Sequence, residues 1–284
     1  MTEKTVKTEK TALFGLNGAT TGRADLQTDI AVAAAAGYDA VELRDAKLDA
    51  YLRAGGSLAG VRVLCRDSNL SVAGLNALED STLTAGPARQ ALLERCRQMC
   101  AWARDLACPF VIAVPSFLGG EDPKTMTAQT VDALRQMGAV AGEYGVRIGF
   151  EFIGFPTCSV RTLGEAQRIV VEVADPAVGL VIDAFHFFAG GSTWTMLDAV
   201  DPHHLFVVHL DDAEDRALSD LTDRHRLLPG DGVFPLKEFV RRLQASGYSG
   251  VYSLELFRPE YWQWDAFHLA RVGLEKMQLL FGDL

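Results

Sequence analysis

The sequence lacks an excess of positive charge, and this shortage excludes several kinds of partner. Lys and Arg number 27 against 37 Asp and Glu, which gives a formal net charge of -10. Binding to nucleic acid needs a basic surface, so we expect no nucleic acid partner. The chain also lacks the run of about 18 apolar residues that a membrane helix needs, so we expect no membrane partner. Nothing in the composition excludes a homo-oligomer.

Cysteine is scarce and irregularly spaced. The five cysteines are an odd number, which is unlike a disulfide framework. Cys96 and Cys100 lie four positions apart on an expected helix, where packing in the core is a more usual role than metal binding. The first eleven residues are polar and charged, unlike a signal peptide, and we expect residues 1–11 to be a disordered tail. These features predict a cytoplasmic protein.

No linker or change of composition divides the rest of the chain. Apolar segments alternate with helix-like segments, and the segment Asp25–Ala36 ends at Gly37 as a helix C-cap does. Eight such pairs predict a (β/α)8 TIM barrel of the α/β class, formed as one domain by residues 12–284. A doubly wound open sheet is the alternative, although the sequence lacks a Gly-x-Gly-x-x-Gly opening after its first strand. The apolar segments are Ala12–Asn17, Tyr38–Arg44, Val72–Leu78, Phe110–Ser116, Val146–Phe152, Val178–His186, Leu205–Asp212 and Gly250–Phe257.

The fifth to eighth predicted strands each end in one side chain of a metal-ligand type. In a barrel the active site lies at the C-terminal ends of the strands, so these four side chains should converge. Each of them alone has an ordinary role, such as capping a helix, pairing with an arginine or packing in the core. Together, three carboxylates would repel one another without a cation. The four residues are Glu151 in GFEF, Asp183 in LVIDAFH, His209 in VVHLDD and Glu255 in YSLELF.

This set of residues predicts one bound divalent metal ion. Ligation by three carboxylates and one imidazole, without a thiolate, suits Mn²⁺, Mg²⁺, Co²⁺ or Zn²⁺. The acidic residues that follow His209, from Asp211 to Asp215, are expected to form a loop. We expect this loop to support the ligands in part and to be solvated in part.

The strand-end residues resemble those of the xylose-isomerase-like TIM barrel superfamily, which includes sugar isomerases, ketose 3-epimerases, inosose dehydratases and endonuclease IV. The C-terminal half is most similar to the bacterial inosose isomerases, and the N-terminal half resembles them more loosely. The first strand, the Leu48–Ser68 region and the Thr82–Pro87 loop depart most from the family, and these departures would change the shape of the pocket. The similar segments are EFIGFPTCSV, VGLVIDAFHFFAGGS, HLDDAED, LTDRHRLLPGDG and LELFRPEYW, and then GYDAVELR, LNAL and VIAVPS.

The resemblance implies a metal-dependent isomerase of inositol catabolism that converts 2-keto-myo-inositol (inosose) to 1-keto-D-chiro-inositol. A metal that holds a ketone oxygen and the neighbouring hydroxyl acidifies the C–H bond and stabilises an enediolate. Glu151 and Glu255 would be the catalytic pair, because a carboxylate on each side can take a proton from one carbon and return it to the next. The substrate would be a small polyhydroxy ketone. A ketose 3-epimerase, or a related sugar isomerase or dehydratase, is the alternative on the same metal site.

Two further residues near the strand ends are predicted to bind substrate. His186, three residues beyond Asp183, resembles the substrate-binding histidine of the family. Arg226 precedes the segment LLPGDG and is expected to bind a substrate hydroxyl or the developing oxyanion, with a surface arginine as the ordinary alternative. LLPGDG itself lacks the Lys-Ser/Thr ending of a phosphate-binding loop, so we interpret it as a turn before a helix.

Three more polar residues end the first three predicted strands. Glu42 would bind a substrate hydroxyl or orient Arg44. Asn17 and Asn76 would recognise hydroxyls or cap loops. Trp262 and Trp264 follow the last strand, and the sequence does not decide between a pocket wall and a subunit interface.

Two functions of other classes are weighed against an isomerase. A phosphodiesterase like endonuclease IV needs a histidine-rich cluster of several metals, whereas the third and fourth predicted strands contain no histidine. The net charge also disfavours a nucleic acid substrate. A non-catalytic, metal-dependent sugar binder stays open until the two glutamates are tested for proton exchange.

Overall fold

The computed structural model describes residues 12–117 and 121–282, and these form a closed barrel of eight parallel strands. The first strand pairs with both the second and the last, so the sheet has no edge. The TIM barrel prediction is therefore confirmed, and the alternative of an open, doubly wound sheet is wrong. The predicted tail over 1–11 lies outside the described residues. The barrel strands are β1 (Leu13–Asn17), β2 (Ala40–Arg44), β3 (Ser71–Leu78), β4 (Phe110–Ala113), β5 (Arg147–Glu151), β6 (Val178–Asp183), β7 (Leu205–Leu210) and β10 (Val251–Leu254).

Helices follow the strands and cover the outside of the barrel. Helix α1 has Asp25 as its N-cap, which accepts the Thr28 N–H, and it ends at Gly37 in the left-handed conformation with φ of 94°. This end agrees with the one predicted from the sequence, because glycine takes a positive φ without steric cost. The helices are α1 (Leu26–Ala36), α2 (Asp45–Arg53), α3 (Leu58–Asp67), α4 (Gly86–Leu106), α5 (Pro123–Glu143), α6 (Leu163–Val173), α7 (Ala184–Ala189), α8 (Trp194–Asp198), α9 (Leu236–Ala245) and α10 (Ala266–Phe281).

Alternation along the strands separates an outer core from the barrel interior. In β6, Ile182 belongs to the large apolar cluster shared with the helices, whereas Val181 belongs to a small cluster inside the barrel. Successive side chains of a strand point to opposite faces, so Asp183 faces inward with Val181. The same alternation in β7 sends Val207 and His209 inward. Polar residues at the C-terminal strand ends therefore reach one common space.

Two short elements bring further polar residues to that end of the barrel. Helix α7 begins directly after Asp183 and contains His186. After β7 the chain forms β8 (Asp212–Ala213), which pairs antiparallel with β9 (Arg226–Leu227) and returns Arg226 to the strand ends.

All five cysteines are buried and free, which agrees with the predicted packing of Cys96 and Cys100 in the core. Among the described residues, no helix combines the length and the apolar character that a transmembrane span requires.

Candidate metal centre and substrate cavity

The four predicted metal ligands come together at the C-terminal end of the barrel. Each offers one ligand atom, and the four atoms lie within 4.8 Å of one another. Asp183 and His209 are fully buried, and Glu151 and Glu255 are each 3% exposed. An oxygen-rich donor set with one imidazole and no thiolate fits a hard to borderline divalent cation. The burial of three carboxylates also favours a cation, since unpaired buried charges are costly. The four residues are Glu151, Asp183, His209 and Glu255.

His209 contacts carboxylates through both of its ring nitrogens. Its Nδ1 lies 3.0 Å from Glu151 Oε1 and 3.2 Å from Glu255 Oε2. The Asp183 Oδ2 atom is 3.8 Å from the same nitrogen. On the other side, Nε2 lies 3.0 Å from Glu42 Oε2. Nδ1 is therefore the nitrogen available to a metal, and Glu42 can accept a hydrogen bond from Nε2–H.

In the ion-free protein these contacts shift the pKa values of the cluster. Burial lowers the pKa of His209, but Glu255, Glu42 and Glu151 together outweigh burial and raise it well above its usual value. Burial raises the pKa of Glu151 to about 7. The pKa of Glu255 is lowered despite its burial, because His209, Arg226 and Arg44 favour its ionised form. The protein thus holds protons where a metal ion would supply positive charge.

A cavity of about 220 Å³ opens above this cluster. Glu151 and Glu255 line it, so two of the four residues border both the cluster and the cavity. Their carboxylates are therefore placed to contact a bound molecule and a metal together. The lining also includes Arg44, Asn76, Glu79, Asp80, Phe117, Phe155, Cys158, His186, Asp223, Arg226 and Phe257.

Arg226 is buried at 1% exposure, so the alternative of a surface arginine is wrong. Its Nη1 lies 2.5 Å from Asp183 Oδ2 and also contacts Asp211 Oδ2. Its Nη2 lies 3.0 Å from His186 Nε2, and its Nε donates to Asp223 Oδ1 at 3.0 Å. The antiparallel pairing of β8 with β9 carries the arginine to this position.

Asp211 and Asp212 are fully buried, so the solvated part of the segment expected after His209 does not include these two residues. Asp211 accepts the Phe185 N–H at 3.0 Å and contacts Arg226. Asp212 accepts backbone N–H groups from the turn that contains LLPGDG, at Gly230 and Gly232. The sequence predicted that part of this segment supports the ligands, but it did not give the contact of Asp211 with Arg226 or the role of Asp212, although two acidic residues directly after a buried strand were a signal. Glu214 and Asp215 are less buried, as expected.

The other predicted substrate-binding residues divide between the cavity wall and a layer behind it. Asn76 lines the cavity, and its Nδ2 donates to Glu42 Oε1 and Glu255 Oε1, both at 3.1 Å. Asn17 Nδ2 contacts the same two carboxylates. Glu42 and Asn17 are buried behind the lining residues, where they support His209 and Glu255. Substrate contact by Asn17, Asn76 and Glu42 stays a prediction.

The two tryptophans lie beside the site. Trp262 donates from Nε1 to the Ala19 carbonyl at 3.0 Å and packs against the loop after β1. Trp264 is 41% exposed and makes an edge-to-face contact with Tyr261, with the ring centroids 5.0 Å apart. Neither belongs to the residues that line the 220 Å³ cavity.

The fold and the site together define a TIM barrel with a buried cluster of three carboxylates and one histidine that is suited to one metal ion. The sequence matches the xylose isomerase-like TIM barrel family over residues 30–278. The chain belongs to this family, which confirms the resemblance noted from the sequence.

Comparison with known proteins narrows this assignment. The chain is 36% identical over 232 residues to an inosose isomerase of Halalkalibacterium halodurans, covering 81% of this chain and 82% of that protein. It is also 29% identical over 230 residues to a 3-dehydroshikimate dehydratase of Pseudomonas putida, covering 79% of this chain and 35% of that protein. A crystal structure of the IOLI protein with a binding zinc atom superimposes with a TM-score of 0.92 at 31% identity, covering 95% of this chain and 98% of that one. These findings confirm the predicted class, an enzyme of the sugar and cyclitol isomerase type.

Proposed function

We propose that the protein is a divalent-metal-dependent isomerase of a keto-cyclitol, which interconverts 2-keto-myo-inositol and 1-keto-D-chiro-inositol. One observation carries this proposal: Glu151 and Glu255 border both the four-residue cluster and the cavity. The similarity to inosose isomerases over most of the chain supports the choice of substrate.

Glu151, Asp183, His209 and Glu255 would hold the ion. When bound there, a divalent cation supplies Lewis-acid polarisation of the substrate carbonyl and its neighbouring hydroxyl. The four side chains offer three carboxylate oxygens and one imidazole nitrogen. This number leaves coordination positions open for a ligand in the cavity. Mn²⁺, Mg²⁺, Co²⁺ and Zn²⁺ all suit these donors.

Glu151 and Glu255 would move the proton between adjacent ring carbons. Both carboxylates are buried and line the cavity, so one can accept a proton from a ring carbon while the other delivers to the next carbon a proton that exchanges with solvent between turnovers. Their environments differ, because burial raises the pKa of Glu151 whereas His209 and two arginines keep Glu255 ionised. We assign Glu151 and Glu255 together as the pair that accepts the proton from one carbon and returns a proton to the next.

The charges around the cavity favour an uncharged substrate. Glu79, Asp80 and Asp223 add carboxylates to the wall. Arg44 is engaged by Asn76 Oδ1 at 2.9 Å and lies 3.7 Å from Glu79. An anionic ligand would therefore meet like charges at this wall, which costs affinity. These charges favour an uncharged polyhydroxy ketone over an anionic substrate.

Proton NMR in D₂O tests the proposal. Protein stripped of metal and reloaded with Mn²⁺ or Zn²⁺ is incubated with 2-keto-myo-inositol, with fructose and with 3-dehydroshikimate. We expect metal-dependent deuterium incorporation and a new keto-inositol from the first compound alone. Exchange confined to fructose would indicate an epimerase, and loss of water from 3-dehydroshikimate would indicate a dehydratase.

Two glutamine variants assign the proton transfer. Glu255→Gln should abolish deuterium exchange, because an amide cannot accept the proton. Glu143→Gln, at an exposed position on α5, makes the same chemical change away from the site and should leave the exchange rate unaltered. Undiminished exchange in Glu255→Gln would refute its role as the base.

A further inference from the structure

Glu255 lies just beyond the paired part of its strand. Strand β10 ends at Leu254, which is the last residue in register with both β1 and β7. The other three residues of the cluster are each in register with a neighbouring strand. The ladder thus ends one residue before Glu255, and contacts outside the sheet help to set the direction of its side chain.

The hydroxyl of Thr20 contacts the backbone on both sides of Glu255. Its Oγ1 donates to the Leu254 carbonyl at 2.8 Å and accepts the Leu256 N–H at 3.1 Å. One hydroxyl can make both contacts, because it has one donor and two acceptor lone pairs. The two groups belong to the two planar peptide units that adjoin the Glu255 Cα atom. Holding both units restricts φ and ψ of Glu255 and therefore the direction of its Cα–Cβ bond.

The loop that contains Thr20 is itself anchored. Lys47 Nζ donates to the carbonyls of Gly18 at 2.8 Å and Thr21 at 3.0 Å. The same ammonium group lies 2.8 Å from the buried Asp29 Oδ2. Each of its three N–H bonds therefore has an acceptor, and the chain is held on both sides of Thr20.

Asn17, at the start of the same loop, contacts the carboxylate rather than the backbone. Its Oδ1 accepts the Ala19 N–H at 2.9 Å, which leaves Nδ2 to donate to Glu255 Oε1 at 2.9 Å. The loop thus holds Glu255 at two separate points, and the backbone contact through Thr20 can be removed alone by substitution.

We propose that Thr20 is a positioning residue for Glu255, which directs the carboxylate toward both the four-residue cluster and the cavity. Thr20 is not among the residues that line the 220 Å³ cavity, so it acts through Glu255 and not by contact with a substrate. The proposal goes beyond the proposed function and rests on it only in taking Glu255 as a ligand of the metal ion. The identity of the substrate does not enter.

Zn²⁺ binding, measured by calorimetry, tests this role without any substrate. Thr20→Val keeps the size of the side chain but removes the hydroxyl from the Leu254 carbonyl and the Leu256 N–H, in a region where all three residues are buried. We expect Zn²⁺ affinity to fall about 10- to 100-fold, as for other residues that orient metal ligands. Thr20→Ser keeps the hydroxyl and should retain most of the affinity. Unchanged affinity in Thr20→Val, or an equal loss in Thr20→Ser, would overturn the proposal.

Amide hydrogen exchange in the unaltered, ion-free protein keeps the proposal testable even if Thr20→Val does not fold. The Leu256 N–H should exchange slowly, because it is buried and donates to Thr20. Rapid exchange of this amide would overturn the proposal, since the backbone beside Glu255 would then not be held.

A matched substitution and a double-mutant cycle separate positioning from a general effect on the fold. Thr130→Val removes a buried hydroxyl that donates to the Met126 carbonyl at 2.7 Å on α5, and it should leave Zn²⁺ affinity unaltered. In the Glu255→Ala protein, Thr20→Val should cause little further loss of affinity, because the residue through which Thr20 acts is gone. An equal loss in both backgrounds would overturn the proposal. If the unaltered protein binds Zn²⁺ but does not turn over 2-keto-myo-inositol, the proposed function fails, while the cycle still decides this inference.

Discussion

Asp212→Asn should destabilise the protein strongly, although Asp212 is not among the four metal-type residues. The carboxylate is fully buried and accepts four backbone N–H groups. Oδ1 binds Ala213 N and Phe234 N, both at 2.9 Å. Oδ2 binds Gly230 N at 3.1 Å and Gly232 N at 3.0 Å. One side chain thus holds the turn that contains LLPGDG onto the end of β7.

The expected loss follows from the number of acceptor oxygens. Asparagine has one side-chain oxygen, so it can satisfy only one of the two pairs of N–H groups, and its NH₂ group then faces the other pair. Hydrogen bonds to a charged group contribute about 1.5 to 3 kcal/mol each. Losing two of them predicts a decrease of about 3 to 6 kcal/mol in the free energy of unfolding, with about 3 kcal/mol expected if the turn relaxes.

Urea unfolding of the Zn²⁺-loaded protein, followed by circular dichroism, measures this loss as a lower midpoint at an unchanged slope. Asp215→Asn is the matched control, because Asp215 lies three residues further on and is exposed. The control should stay within about 0.5 kcal/mol of the unaltered protein. A loss below about 1 kcal/mol in Asp212→Asn would refute the reasoning, because the turn would then not depend on the ionised carboxylate.

Three further predictions concern the metal and the position of α7. Glu42→Gln should weaken Zn²⁺ binding about 10- to 100-fold in calorimetry, because the carboxylate that orients His209 is lost; unchanged affinity would argue against this role. Burial raises the pKa of Glu151 to about 7. The folded, ion-free protein therefore holds this proton more tightly than the unfolded chain does, and its stability should fall as the pH rises from 4.5 through 7. Below pH 7 a metal ion must displace the proton, so metal binding should release protons. Calorimetry in two buffers of different ionisation enthalpy detects this release of protons. If no protons were released, the assignment of Glu151 as a metal ligand would be contradicted. Gly154→Ala should cost about 1 to 3 kcal/mol of stability and raise KM, because its Cβ would lie 2.6 Å from Gly190 N and His186 O. Gly142→Ala, with no atom within 4 Å of the added Cβ, should be neutral or slightly stabilising in the same thermal unfolding assay.

The barrel could be predicted from the sequence because its signals are local. Buried parallel strands are short apolar segments, and a helix that ends at Gly37 shows its boundary in the chain itself. The positions of Glu151 and Asp183 follow from the same local pattern, since each is the last residue of its strand. In a closed barrel of parallel strands all C-terminal strand ends lie at the same end of the barrel, so the fold alone predicts that these residues converge.

The surroundings of the cluster could not be predicted in the same way. The burial of Arg226 depends on the antiparallel pairing of β8 with β9, which joins residues that are separated in sequence by a loop. Strands of only two residues are too short to show a periodic pattern of apolar residues in the sequence. The contact between Glu42 and His209 Nε2 likewise joins strands that are distant in the chain, and it became visible only when the barrel closed.

Asp211 and Asp212, the two aspartates after β7, differ in their partners, and the interpretation of this segment as a loop did not predict that difference. Along an extended backbone, successive side chains point to opposite sides. Asp211 therefore turns toward Arg226 and the amide of Phe185, whereas Asp212 turns toward the amides of Gly230 and Gly232. One side contains the candidate active site, and the other contains the turn that leads to α9. Both sides present hydrogen-bond donors, so each carboxylate is buried with partners. The two adjacent aspartates therefore stabilise different parts of the protein.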